Sequence, residues 1–184
     1  VHVKVMAPEV ETVHFLNAPY EVSHMVNKGI EDGRSHGANT THSVDGLVVR
    51  EISARCNHDV EKIKVLKRII KDINEGYQPS FFENENTDMV RILWNHYEES
   101  GYLSARIMDY LDYENISLVD HKVIEELVYS LPPKPFEVIS VHDCFRCLPN
   151  YANDLRKQYN RQLYLIARSD ILSYILSQLV GRKV

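Results

Sequence analysis

Glycine and proline are scarce, seven of each in 184 residues, while hydrophobic residues reach 44%. That balance excludes a mainly disordered, collagenous or low-complexity chain. Three cysteines are too few for a disulfide scaffold and favour a reducing compartment. No apolar run approaches the roughly 20 residues that a membrane-crossing helix needs. Positive charge is short as well: the net charge is −5 and the pI is near 6.0. A broadly basic nucleic-acid-binding surface is thereby disfavoured, although a local stripe of Lys and Arg is not. The chain opens on Val1 without a charged-then-apolar leader, inside an alternation that reads as a strand. It is therefore expected to be a piece of a longer polypeptide. A chain of this length can bury about 70% of its unfolded surface and so build a real core.

Residues 1–16 alternate apolar and polar like strands, with Pro8 and Glu9 breaking them into a hairpin. A short helical stretch is expected near Glu21–Ile30, then a loop at Asp32–Gly37. Val44, Leu47, Val48 and Ile52 carry helical spacing to about Cys56. A second helix follows, with Val60, Ile63, Leu66, Ile70 and Ile73 on one face, ending at Glu75–Gly76. Asn86 or Thr87 suits the cap of a third helix carrying Met89, Ile92, Leu93, His96 and Tyr97. Tyr102–Tyr110 reads as another helix. Ser117 to Asp120 looks like a capping box before Val123, Ile124, Leu127 and Val128. Prolines 132, 133 and 135 stop any helix. Two β-rich runs then meet at His142–Asp143, and a long helix from Pro149 to about Ala167 precedes a last one capped by Ser169. The expected class is α+β, mostly helical, with a small antiparallel sheet that includes the His-Asp hairpin.

A carboxylate at the apex of a rigid β-turn is well placed to ligate a metal, because the flanking strands fix it. Turns also favour Asp for purely local reasons, so Asp143 alone decides nothing. Its surroundings add weight. Val138-Ile-Ser-Val-His142-Asp143-Cys-Phe145 resembles the last catalytic motif of the single-subunit, phage- and mitochondrial-type RNA polymerases, an apolar strand leading to His-Asp-Ser-Phe. Upstream, Asn39-Thr-Thr-His42-Ser43-Val44-Asp45-Gly46 resembles that family's Asn-x-x-His-Ser-x-Asp-Gly helix entry. The order of the two is right, and Pro149 followed by an amphipathic helix is similar to the family's downstream segment.

The resemblance covers about residues 30–56 and 136–181. It implies a palm-like portion at 1–56 and 131–184, interrupted by a helical insertion at 57–130 that is much larger than in the family's common members. Cys144 stands where the family usually has Ser. Family-A DNA polymerases share the His-Asp hairpin but typically continue with Glu. Cys144 and the His-Ser-x-Asp-Gly run therefore favour an RNA product.

By position, the resemblance implies that Asp143 is the catalytic carboxylate, sharing Mg²⁺ with a second Asp from an earlier motif in a two-metal nucleotidyl transfer. His42 and His142 would lie against the nascent RNA–template pair, with Asp45 orienting His42 from three residues on. Asp45 equally suits an ordinary first-turn helix charge. Cationic support along a phosphate backbone would come from Arg50, Arg55 or the stripe Lys64, Lys67, Arg68 and Lys71. The implied partners are a DNA template, nascent RNA, ribonucleoside triphosphates and the remaining polymerase domains, in the same chain or a second subunit. No membrane is involved, and the implied setting is a bacterial host's cytoplasm. Neither the family's Asp-Gly-x-x-x-Gly motif nor its Arg-x-x-x-Lys…Tyr-Gly nucleotide-binding helix occurs here, so the chain by itself is expected to be inactive.

Other features read as ordinary structure. Cys144 and Cys147 sit on a strand at an odd spacing, which sends them to opposite faces and disfavours a zinc or redox pair. The Lys64–Lys71 stripe suits a solvated helix face as well as a nucleic-acid track. Trp94, Tyr97, Tyr102, Tyr110 and Tyr113 suit a core better than base stacking. Two further readings stay open: a family-A DNA polymerase fragment, and a non-catalytic helical binding or assembly module.

Overall fold

The computed structural model describes residues 6–15, 18–27, 34–141 and 144–184. Strands β1 (Met6–Phe15) and β2 (Ala18–Asn27) open the chain. Helices α1 (Arg34–Cys56), α2 (Val60–Asn74), α3 (Thr87–Ser100) and α4 (His121–Tyr129) follow. Strands β3 (Ile139–Val141) and β4 (Cys144–Arg146) then lead to α5 (Ala152–Arg168) and α6 (Ile171–Val180). The class is α+β and mostly helical, and the strands form two separate antiparallel pairs, β1–β2 and β3–β4.

Several local expectations give way. The helix expected near Glu21–Ile30 is strand β2, paired along its length with β1 from Met6↔Asn27 to Phe15↔Ala18. Tyr20, Val22, Met25 and Val26 fit a helical face and a strand equally well, and pairing decides. Pro8 does not break β1, since a two-stranded ribbon has only edges and an edge tolerates a missing N–H. The loop expected at Asp32–Gly37 is shortened, because α1 already begins at Arg34. Tyr102–Tyr110 forms only a 3₁₀ helix at Ala105–Asp109, opened by Ser104, whose Oγ accepts from the Arg106 amide.

Caps follow the same local chemistry with small shifts. Asp59 opens α2 by accepting from the amides of Glu61 and Lys62. Asp120, not Ser117, caps α4, accepting from the Lys122 amide at 2.8 Å. Asn86 stands at the start of α3 without a side-chain cap bond; Asn84 and Thr87 bond each other there instead. Asp170 occupies the position before α6, while the Ser169 hydroxyl donates back to the Ile166 carbonyl at the end of α5. On α3 the buried face runs through Val90, and Ile92 is 60% exposed.

Most of the buried apolar residues fall into two clusters. One is drawn from Ile63 to Val128 and centres on Leu66, Ile69, Ile70, Val90, Ile107 and Ile124. The other joins Val48, Ile52 and Cys56 of α1 to Phe136 and Leu155, with Val138, Phe145, Cys147 and Tyr151 packed against it. A buried polar layer connects the elements that carry them. Glu51 accepts from the Ser104 hydroxyl and from the Ala105 amide at 2.8 Å. Arg55 donates to Gln158 Oε1 at 2.8 Å and to the Ser130 hydroxyl. The Tyr102 hydroxyl donates to Gln162 Oε1. Residues 57–130 are thus tied to α1 and α5 by hydrogen bonds that cannot be exchanged for water without cost.

Candidate nucleic-acid interface

Helix α1 divides into two halves. From Val48 onward its inner face is buried through Val48, Glu51, Ile52, Arg55 and Cys56, the i, i+3, i+4, i+7 rhythm of a helix lying on a core. Before Val48 no described residue of α1 is buried, and Gly37, Ala38, Asn39, Thr41, His42, Ser43 and Asp45 are all exposed. The outer turns bond themselves: Thr41 Oγ1 donates to the Gly37 carbonyl at 3.1 Å and Ser43 Oγ to that of Asn39 at 2.8 Å. The His-Ser-x-Asp-Gly run therefore lies on a helical arm with its side chains in solvent. No hydrogen bond or ion pair joins His42 to Asp45, so the expected orienting contact is not made.

Gly46 lies on this arm. A methyl group at its Cα would meet nothing within 4 Å. Glycine inside a helix costs about 1 kcal/mol relative to alanine, and no neighbour among the described residues requires it.

The second motif occupies a short hairpin. Ile139↔Arg146, Ser140↔Phe145 and Val141↔Cys144 pair antiparallel, which makes residues 142 and 143 the two-residue connection. His142 and Asp143 themselves lie outside the described residues, so the expectations for their side chains have no structural counterpart here. Alternation sends Phe145 toward the second cluster and leaves Ile139 and Val141 on the outer face, 59% and 51% exposed. Phe136 anchors the approach to β3: its amide donates to the Cys56 carbonyl at 2.8 Å and its ring stacks on Tyr151 at 4.7 Å. The two cysteines part, Cys144 exposed on β4 and Cys147 against the cluster, although β4 ends at Arg146 and Cys147 is not on the strand expected to carry both.

The cationic candidates separate as well. Arg50 is exposed on α1, and Lys64, Lys67, Arg68 and Lys71 are exposed along α2. Lys64 pairs with Glu61 at 2.7 Å and Lys71 with Glu75 at 3.6 Å. The Lys67 ammonium lies 5.4 Å from the centre of the Tyr129 ring. Exposed contacts of this kind hold little energy and release readily. Arg55 is a correction: it is 1% exposed and spends its guanidinium on Gln158 and Ser130, so no duplex can reach it as a phosphate clamp. Burial and then the nearby charge of Arg161 pull its pKa down to about 10. Nothing in the local sequence distinguishes Arg55 from Arg50; only the packing of α5 against α1 does.

Among the described residues, no three of His, Cys, Asp and Glu converge to hold a metal ion. Among the described residues, too, no single helix is long and apolar enough to cross a membrane. A scan against protein-family models and a search of the curated proteins return no match to this chain.

Proposed function

We propose that this chain is the C-terminal, palm-containing portion of a phage-type, single-subunit DNA-directed RNA polymerase. One observation carries the reading beyond the motifs. The helix bearing His42-Ser-Val-Asp-Gly46 and the hairpin connected through His142–Asp143 share a single apolar cluster, α1 through Val48 and Ile52, the hairpin through Val138 and Phe145. The motifs lie a hundred residues apart in sequence, and a site built from both needs such a common floor.

In this reading Asp143 is the metal-binding carboxylate. His42, on the exposed arm of α1, contacts the RNA–template pair, and Asp45 and Arg50 flank it. Gly46 lets a backbone approach the helix closely. The Lys64–Lys71 stripe follows the phosphates by charge alone, as its exposed ammonium groups suit. Mg²⁺, when bound, supplies charge neutralisation at the reacting phosphate. The partner carboxylate and the nucleotide-binding helix belong to the remainder of the polymerase.

The test uses the complete polymerase carrying the missing motifs. Asp143→Asn is expected to abolish template-directed RNA synthesis while leaving the circular dichroism and melting temperature unchanged. An Asp143→Asn enzyme that still makes RNA would overturn the reading. Incorporation of deoxynucleotides instead of ribonucleotides by the native enzyme would replace it with the DNA-polymerase alternative.

A further inference from the structure

Three arginines border one cavity of about 260 Å³ between α1, α4 and α5. Arg55 forms part of its inner wall. Arg161 and Arg168 lie two turns apart on α5, and Ser130, Glu126, Tyr97, Tyr102 and Tyr164 complete the polar lining. The charges are not balanced. Glu126 Oε1 accepts from Arg161 Nη2 at 2.9 Å, and it is the only carboxylate in the lining.

Arg55 makes hydrogen bonds only to neutral groups, the side chain of Gln158 and the hydroxyl and carbonyl of Ser130. These bonds use Nε and Nη2. Nη1 has no hydrogen-bond partner among the described residues. Glu51, one turn back on α1, directs its carboxylate to Ser104 and Ala105 instead. Arg161 Nε is buried and makes no hydrogen bond. Arg168 donates Nη1 to the Tyr164 hydroxyl at 2.7 Å, again a neutral partner.

A buried guanidinium without a carboxylate hydrogen-bond partner, as at Arg55, is costly, and the half-buried Arg161 guanidinium beside it adds like-charge repulsion. Proteins retain such an arrangement where an anion completes it: guanidinium forks match the oxygens of phosphate with short, charge-assisted bonds. We infer that this cavity binds a small phosphate anion, inorganic phosphate or pyrophosphate, held between Arg55 and Arg161 with Arg168 at the mouth. Arg55 Nη1 and Arg161 Nη1, which bond nothing among the described residues, are the donors left for it. The volume admits either ion but not a folded polynucleotide. The inference stands on the cavity and does not depend on the polymerase reading.

Isothermal titration of the purified chain with sodium phosphate and with sodium pyrophosphate, at constant ionic strength, tests it. Saturable binding with a dose-dependent rise in melting temperature is expected, weakened at least about tenfold in Arg161→Gln. Arg168→Gln, at an exposed position, serves as a second variant should Arg161→Gln unfold, and it too is expected to weaken binding. An Arg106→Gln variant, exposed on the separate 3₁₀ turn, should bind phosphate like the native chain. Absence of saturable binding to the native chain at millimolar concentrations overturns the inference. So does binding that only the Arg106 substitution removes. Preferential binding of a short single-stranded oligonucleotide over both ions, lost in Arg161→Gln, would transfer the pocket to a polynucleotide phosphate and equally overturn the free-anion assignment.

Discussion

The Arg55 guanidinium of α1 donates to Gln158 Oε1 of α5 at 2.8 Å, a buried bond between residues 103 positions apart. Gln158 also donates to the Ser130 carbonyl at 2.8 Å, so one amide side chain connects α1, α5 and the end of α4. Gln158→Leu leaves a buried guanidinium N–H unpaired and the Ser130 carbonyl with only its 3.5 Å bond from Arg55, and is expected to cost about 2–4 kcal/mol. Gln158→Glu keeps an acceptor beside Arg55 and should cost less. Urea unfolding at neutral pH measures both; a Leu variant within about 0.5 kcal/mol of native would show that the contact holds nothing together.

Glu51 gives a pH signature. Burial raises its pKa above the ordinary 4.5, opposed by the hydrogen bonds from Ser104 and Ala105 and by the charge of Arg55. The folded chain thus holds a proton on Glu51 more tightly than the unfolded chain. Its contribution to stability is greatest below the unfolded pKa and is lost as pH rises through the folded one. Glu51→Gln lacks this titration. The stability of the native chain minus that of the variant should therefore fall as pH rises from about 4 to 8, read from urea midpoints. A difference that grows with pH would contradict the sign.

Gly46→Ala should stabilise the isolated chain by about 0.5–1 kcal/mol, since the added methyl meets open space. On the polymerase proposal, the same change is expected to lower RNA synthesis by the complete enzyme, because the methyl would stand where a backbone approaches. Chemical denaturation and a primer-extension assay give the two readings. Unchanged synthesis would leave the glycine without a functional role.

The three thiols should react in order of access. Cys144 is exposed and Cys56 is buried, its thiol pushed up to about 12 by desolvation. Since the thiolate is the reactive form, iodoacetamide at pH 8 should label Cys144 first and Cys147 more slowly. Cys56 should label only after denaturation. Mass spectrometry of timed samples reads this out, and early labelling of Cys56 would mean that the α1–Phe136 packing opens readily.

Where local chemistry is decisive, elements were legible from residue order alone. The stripe Ile63, Leu66, Ile70 and Ile73 delimits α2, Gly101 and Gly181 end α3 and α6 in the left-handed conformation, and the prolines after Leu131 close α4. The pair of β-runs around residues 142 and 143 was equally plain, because β-branched residues flanking a turn dipeptide admit few other structures. The arm of α1 was harder: Asp32–Gly37 carries loop residues, yet the helix extends back to Arg34.

Sequence by itself determined the α+β class, most helix positions, the β3–β4 hairpin and the two motifs that prompt the polymerase proposal. Only the tertiary structure decided that Tyr20–Val26 is strand, through its pairing with β1. It alone separated Arg55 from Arg50, burying one and exposing the other on the same helix. It also brought Arg55, Arg161 and Arg168 to one cavity. The reason is physical: periodicity and caps act over a few residues, whereas the cost of burying a charge depends on what distant segments pack against it.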